Sequence, residues 1–269
     1  MQLKNPPCPP LEKGANDCTL TPTPSPIRRG EKQPAFTLAE VLVTLGIIGV
    51  VAAMTLPMLA ENYQRIVVQT RLKKFYTTFN QAILRSVDVN GPYEGWNYWV
   101  ESRDKNGVLV AQPEAISMAF NLYLRPYLSV IQEQKVIYTD GTSTTLYYLS
   151  DGSAFAYHVS LSRDMYYFPK KPVECLKLSS IQRDGVCQFT FEFNPLGLMN
   201  RVGNNPSYWK HLKDKGLEPF KFNWNGNVEQ LYTAVDYGCK NGAAPQYCAA
   251  IIQYNNWEFP ADYPRKIRY

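Results

Sequence analysis

Residues Phe36 to Ala60 read FTLAEVLVTLGIIGVVAAMTLPMLA, and from Val41 to Ala60 no side chain is charged. About 20 apolar residues rising 1.5 Å each form a helix long enough to cross the hydrocarbon core of a bilayer. Two other readings fit such a run: a buried core helix, and a cleaved signal peptide preceded by Arg28, Arg29 and Lys32. Against the first, core helices rarely stay apolar on every side for so long. Against the second, the run leads straight into an amphipathic pattern with no small-x-small cleavage site behind it. Glu40 is out of place at the edge of the run, because a lone carboxylate in lipid is costly unless it is paired or lies near the headgroups.

The stretch Ala35, Phe36, Thr37, Leu38, Ala39, Glu40, Val41, Leu42 resembles the processing site of type IV pilins and type II secretion pseudopilins. In those precursors a basic leader ends in a small residue and is followed by F-T-L-x-E-x-L and an apolar helix. The resemblance implies a prepilin peptidase that cuts between Ala35 and Phe36 and methylates the new amine, although Ala35 stands where glycine is usual. It makes Glu40 the fifth mature residue and Pro57 the twenty-second. It also implies that Glu40 pairs with the terminal amine of a neighbouring subunit. The partners implied are the peptidase, other pilin or pseudopilin subunits and an inner-membrane assembly platform. The location implied is a single pass of the bacterial inner membrane, head in the periplasm, and then a filament.

Outward from that stretch, residues 1–35 carry eight prolines and no apolar periodicity, the composition of a disordered segment, and the resemblance implies that it is a leader that is removed. Cys8 and Cys18 would leave with it. The formal charge of the whole chain is +5 and of the remainder about +3, weak grounds for nucleic-acid binding. After residues 36–60, residues 61–88 continue as an amphipathic helix with Leu72, Phe75 or Tyr76, Phe79, Ile83 and Val87 on one side. Arg65, Arg71, Lys73 and Lys74 read as its solvated face. Pro57 either softens this helix for side-by-side packing or marks where lipid ends.

Residues 89–269 are expected to form an exported α+β head, with the long helix packed on a small antiparallel sheet in a pilin-like arrangement. An aromatic loop is expected over 90–106, a helix over 113–131, and a strand from 135 to 139. Further expectations are a hairpin across Asp151-Gly152, a strand over 186–193, and a strand pair joined by Asn225-Gly226. Cys175, Cys187, Cys239 and Cys248 suggest two disulfides in one of three connectivities, the most local joining neighbours in sequence. A zinc site is the competitor, but no two of these cysteines stand two to four residues apart. The ending Cys248, Ala249, Ala250, Ile251, Ile252, then Trp257, Pro260, Tyr263 and Pro264 also resembles pilin-like chains. It reads as a short helix docked inward and closed by Trp257.

The chain has no G-x-S-x-G, H-E-x-x-H or phosphate-binding loop, so no enzyme activity and no cofactor are expected. Asp151 with Asp164 is the acid pair considered, and a structural calcium near Asp184, Glu192 and Asp214 the metal considered. His158 and His211 read as packing residues. The function expected is a structural, minor subunit of a type IV pilus or a type II secretion pseudopilus. The competing function is a membrane-tethered adhesive module with an aromatic groove around Tyr93 to Trp99.

Overall fold

A computed structural model describes residues 36–138, 141–194, 211–212, 215–267 and 269. The chain divides into two units, Met1–Val51 and Ala52–Tyr269. In the first, the described residues, 36–51, are exposed, and from Leu38 onward they are the opening turns of helix α1 (Leu38–Asn90). In the second, α1 buries Val68, Leu72, Phe75, Phe79, Ala82 and Ser86, spaced alternately by four and three, so a single stripe faces the sheet. The helix stops where Asn90 is followed by Gly91, with φ +76°, and then Pro92. Glycine adopts the left-handed turn without strain, and proline cannot continue the helical ladder.

The sheet is an antiparallel meander in strand order: β1 (Val130–Ile137), β2 (Ser143–Leu149), β3 (Ala154–His158), β4 (Leu161–Phe168), β5 (Phe189–Glu192) and β6 (Glu218–Pro219). Helix α2 (Pro113–Tyr123) joins α1 on one face through Ile116, Ala119 and Phe120. Phe75 of α1 stacks on Tyr167 at 4.2 Å and meets Phe191 edge-on at 5.2 Å, while Phe120 meets Tyr147 at 4.5 Å. The opposite face is covered in part by α3 (Pro172–Leu176), whose Cys175 and Leu176 pack with Leu146, Ala154, Ala156 and Phe168. This is an α+β fold of a long helix on a small antiparallel sheet, as the sequence predicts.

The β2–β3 turn follows the predicted Asp151-Gly152 chemistry. Asp151 Oδ1 accepts from Ser153 N–H at 3.0 Å and Gly152 holds φ +78°. Elsewhere the structure corrects the sequence. The helix expected over 113–131 ends at Tyr123, a 3₁₀ turn at Arg125–Tyr127 carries Pro126, and the strand starts at Val130 rather than Lys135. The strand expected over 186–193 is only Phe189–Glu192, because the Arg183 carbonyl gathers the N–H groups of Val186, Cys187 and Gln188 after α4 (Ser180–Arg183). The strand pair expected around Asn225-Gly226 is instead the two-residue β6 followed by α5 (Val228–Thr233). Asn227 caps α5, its side chain accepting from Glu229 N–H at 3.0 Å, and Leu231 anchors it in the core. Trp96 and Tyr98 of the expected aromatic loop are core residues, Trp96 lying flat on Tyr123 at 4.8 Å.

Cys175 is bonded to Cys187 and Cys239 to Cys248, with Cα–Cα distances of 5.8 and 4.8 Å. The second bond joins the chain after α5 to the first residue of α6 (Cys248–Tyr254), whose Cys248 to Ile252 are all buried. Gly185 lies against it: a Cβ there would sit 2.2 Å from Cys248 Sγ, so only glycine fits. Replacing Cys239 and Cys248 by serine is expected to cost about 2–3 kcal/mol, the chain-entropy value for a loop of about ten residues. The check is urea unfolding, in which the midpoint should fall while the slope holds or rises, since the unfolded chain freed of its cross-link exposes more surface.

Candidate functional site

The start of α1 is a reciprocal cap. Thr37 N–H donates to Glu40 Oε2 at 2.8 Å, Thr37 Oγ1–H to the same oxygen at 2.9 Å, and Glu40 N–H to Thr37 Oγ1 at 3.2 Å. This is a threonine and, three residues on, a glutamate satisfying each other's orphan donors. Phe36 precedes it, 85% exposed, while Ala35 lies outside the described residues. Apolar side chains from Val41 to Leu59 remain exposed along a helix long and apolar enough to cross a membrane. Pro57 stands inside α1 and offers no N–H to the carbonyl of Ala53. The structure thus joins Thr37 and Glu40 in one cap directly after Phe36 in the chain and leaves Pro57 farther along the same helix.

The head grips α1 through charges that the sequence placed on a solvated face. Arg71 donates to the carbonyls of Pro169 and, at 2.6 Å, of Asp151. Lys74 Nζ stands 3.2 Å from Asp151 Oδ2. Burial pushes the Asp151 carboxyl up, but hydrogen bonds from Ser153 and Lys74 outweigh it and hold it below the usual range. Arg65 lies over the Phe259 ring, its Cζ 5.4 Å from the centroid. Lys73 is exposed, as expected of a solvated face.

Deeper in, a polar network that the sequence did not reveal joins four segments. Tyr76 Oη donates to Glu218 Oε1 at 3.0 Å, Lys221 Nζ to Glu218 Oε2 at 2.9 Å and to Gln253 Oε1 at 2.6 Å. Gln253 Nε2 completes the ring to Glu218 Oε2 at 3.0 Å, and Lys221 N–H donates to Glu192 Oε1 at 2.7 Å. Burial first, then the Glu218 charge, pushes the Tyr76 hydroxyl up to about 12. Trp257, held beyond α6 by its N–H on the Ile252 carbonyl, packs on Tyr76 at 4.8 Å, the closing role read from sequence.

The acids considered for catalysis have separate partners. Asp164 is held by a two-pronged bond from Arg163 at 2.6 and 2.9 Å, and Asp151 by Ser153 and Lys74. No group of three or more His, Cys, Asp or Glu among the described residues is placed to hold a metal ion. Of the calcium candidates, Glu192 faces Lys221 N–H, Asp184 takes a bond from the Gln188 amide, and Asp214 lies outside the described residues.

Asp184 is itself a titration point. Burial pushes its carboxyl up to about 7, against the opposing pull of Arg183, Gln188 and Arg265. The folded protein then holds a proton that the unfolded chain, with a carboxyl near 3.9, releases. Stability from this group is full below about pH 4 and falls as pH rises toward 7. Asp184→Asn is expected to flatten that part of the stability curve, read from denaturant midpoints between pH 4 and pH 8.

Residues 58–267 match the model of a family of unknown function, DUF6613, and residues 32–56 match the prokaryotic N-terminal methylation motif. No curated protein and no solved structure matches the chain.

Proposed function

The chain belongs to DUF6613, a family of unknown function, so its role rests on its own residues, and we propose that it is a processed, single-pass structural subunit of a pilus-like filament. The observation that carries this reading is the methylation motif at residues 32–56, continuous with an exposed apolar helix that ends in a disulfide-bonded α+β head. Removal of residues 1–35 leaves Phe36 as a charged, methylated terminus. The helix is then drawn from the bilayer into a filament core by apolar packing of Val41 to Leu59 against neighbouring copies or related subunits. Glu40 offsets a neighbour's terminal charge. The head stays on the periplasmic side, where an oxidising environment keeps both disulfides closed. A minor place in a type IV pilus or a secretion pseudopilus follows the same logic.

Intact mass and N-terminal sequencing of the protein from membrane and sheared-surface fractions test the proposal. A methylated chain beginning at Phe36 in the sheared fraction is the expected result. An uncut chain confined to the membrane would overturn it in favour of a tethered binding module. One observation favours that second reading: a cavity of about 730 Å³ lined by Trp99, Arg103, His158, Phe222, Tyr237 and Gln246 among others. It offers aromatic faces with charged and amide groups, as ligand clefts do. It is not the groove expected from Tyr93 to Trp99, since of those residues it takes Trp99 alone.

A further inference from the structure

Strand β1 is the outer strand of the sheet among the described residues. It pairs with β2 in a register that sets Gln132 against Tyr148, Gln134 against Leu146 and Val136 against Thr144, and Tyr138 N–H donates to the Thr142 carbonyl at 2.7 Å. Antiparallel ladders alternate, so the even-numbered residues of β1 spend their backbone groups on β2. The N–H and C=O groups of Glu133, Lys135 and Ile137 therefore point away from the sheet.

An open edge of this kind is a template for another strand. Its side chains state which one. The odd positions read Ile131, Glu133, Lys135, Ile137, with the isoleucines 65% and 74% exposed. Laid antiparallel on a second copy of itself and centred on Gln134, this strand sets each Glu133 opposite Lys135 of the second copy. Each Ile131 then meets Ile137 of the second copy. Glu133 and Lys135 are also residues whose backbone groups point outward, so the Glu133–Lys135 pairs are hydrogen-bonded pairs. The two neighbouring registers that keep this bonding are centred on Glu133 and on Lys135, and they set glutamate on glutamate or lysine on lysine. We infer that β1 docks on β1 of a second copy of this chain, continuing the sheet across a two-fold axis at Gln134.

Charges on an edge strand usually keep other strands away. Here two opposite charges two residues apart repel in the slipped registers and attract in the centred one, so they select a register. Cross-strand ion pairs of this geometry are stabilising, and like charges directly opposite are not. Glu133 already accepts from Arg125 at 2.8 Å on one oxygen, both side chains being partly exposed, which leaves the other oxygen for the incoming lysine. A register shift between Val130 and Gln132 bends the strand at Ile131 and confines regular pairing to Gln132 through Val136, with the isoleucines closing each end. Met118 of α2, 72% exposed, lines a groove of about 440 Å³ with Glu133 and Lys135. The two-fold brings the second copy's groove beside it on the same sheet face. The inference stands apart from processing and filament assembly.

The test uses the full chain in detergent micelles with Cys8 and Cys18 replaced by serine. Gln134 faces itself across the axis as a non-hydrogen-bonded pair, about 4.5 Å between Cα atoms, within reach of a disulfide. Gln134→Cys is expected to accumulate as a covalent dimer under mild oxidation, while Gln132→Cys, which faces Val136 of the second copy, stays monomeric. Lys135→Glu is expected to abolish dimers in analytical ultracentrifugation, and Glu133→Lys with Lys135→Glu to restore them. Equal cross-linking at positions 132 and 134, no cross-linking at either, or failure of the exchanged pair to restore dimers would overturn the inference.

Discussion

Lys221→Met is expected to destabilise the protein by about 3–5 kcal/mol, the cost of leaving a buried carboxylate without its cation. Glu218 and Lys221 are both almost fully buried, so water cannot take over when the ammonium is removed. Glu218 would retain Tyr76 and the Gln253 amide as donors, but neither carries a charge. Gln253 Oε1 would also lose its donor. Replacing both partners, Glu218→Leu with Lys221→Met, removes the charge along with its counter-charge, and is expected to recover most of the loss. Tyr76→Phe deletes a hydrogen bond to a charged group and should cost about 1.5–3 kcal/mol. Equilibrium urea unfolding of the mature chain in detergent, followed by tryptophan fluorescence, gives all three values. A Lys221→Met variant within about 1 kcal/mol of the parent would place the pair in the class of solvated ion pairs and remove it as the lock between α1 and the head.

That network shows why the head was harder to read from sequence than the helix. The stripe from Val68 to Ser86 and the Asp151-Gly152 turn are written in residues close together in the chain, where periodicity and turn chemistry act directly. Tyr76 and Glu218 are 142 residues apart, and Glu218 and Gln253 are 35 apart, so no local pattern couples them. Strand β4 escaped for a related reason. Arg163 and Asp164 interrupt an aromatic run with charges that look solvent-bound, yet they neutralise each other, and α3 with α1 covers the strand on both faces. Val228 to Tyr232 reads as a short strand after the Asn225-Gly226 turn signal and lies in α5 because Asn227 caps that helix and Leu231 has a core site to fill. Trp96 and Tyr98 look like an exposed aromatic loop until Tyr123 of α2 is there to stack on Trp96 and meet Tyr98 edge-on. The cysteines lie between these cases: their number implies two bonds, while the pairing depended on the loops that bring Cys187 to Cys175 and Cys248 to Cys239.

Glu40→Gln is expected to reduce incorporation into sheared filaments severalfold, as much as Glu40→Ala, because both remove the charge that pairing with a neighbour's terminal amine requires. The two substitutions differ in what they leave at the helix start. Glutamine can still accept from Thr37 N–H and complete the cap, whereas alanine cannot. Within one chain the Glu40 carboxylate is already satisfied by two donors from Thr37, and before cleavage Phe36 is an ordinary amide-linked residue with no charge to attract it. Cutting the chain before Phe36 creates a cation at the head of this turn. In the proposed filament the carboxylate then has a second use, offsetting the same cation on a neighbour in a site stripped of water. If Glu40→Gln assembles like the parent while Glu40→Ala fails, the residue is a helix cap and nothing more. If both assemble, Glu40 has no part in assembly. Equal loss in both, with the membrane-bound precursor still folded and processed, is the result that a charge-based role requires, and quantitative immunoblotting of sheared and membrane fractions distinguishes the three.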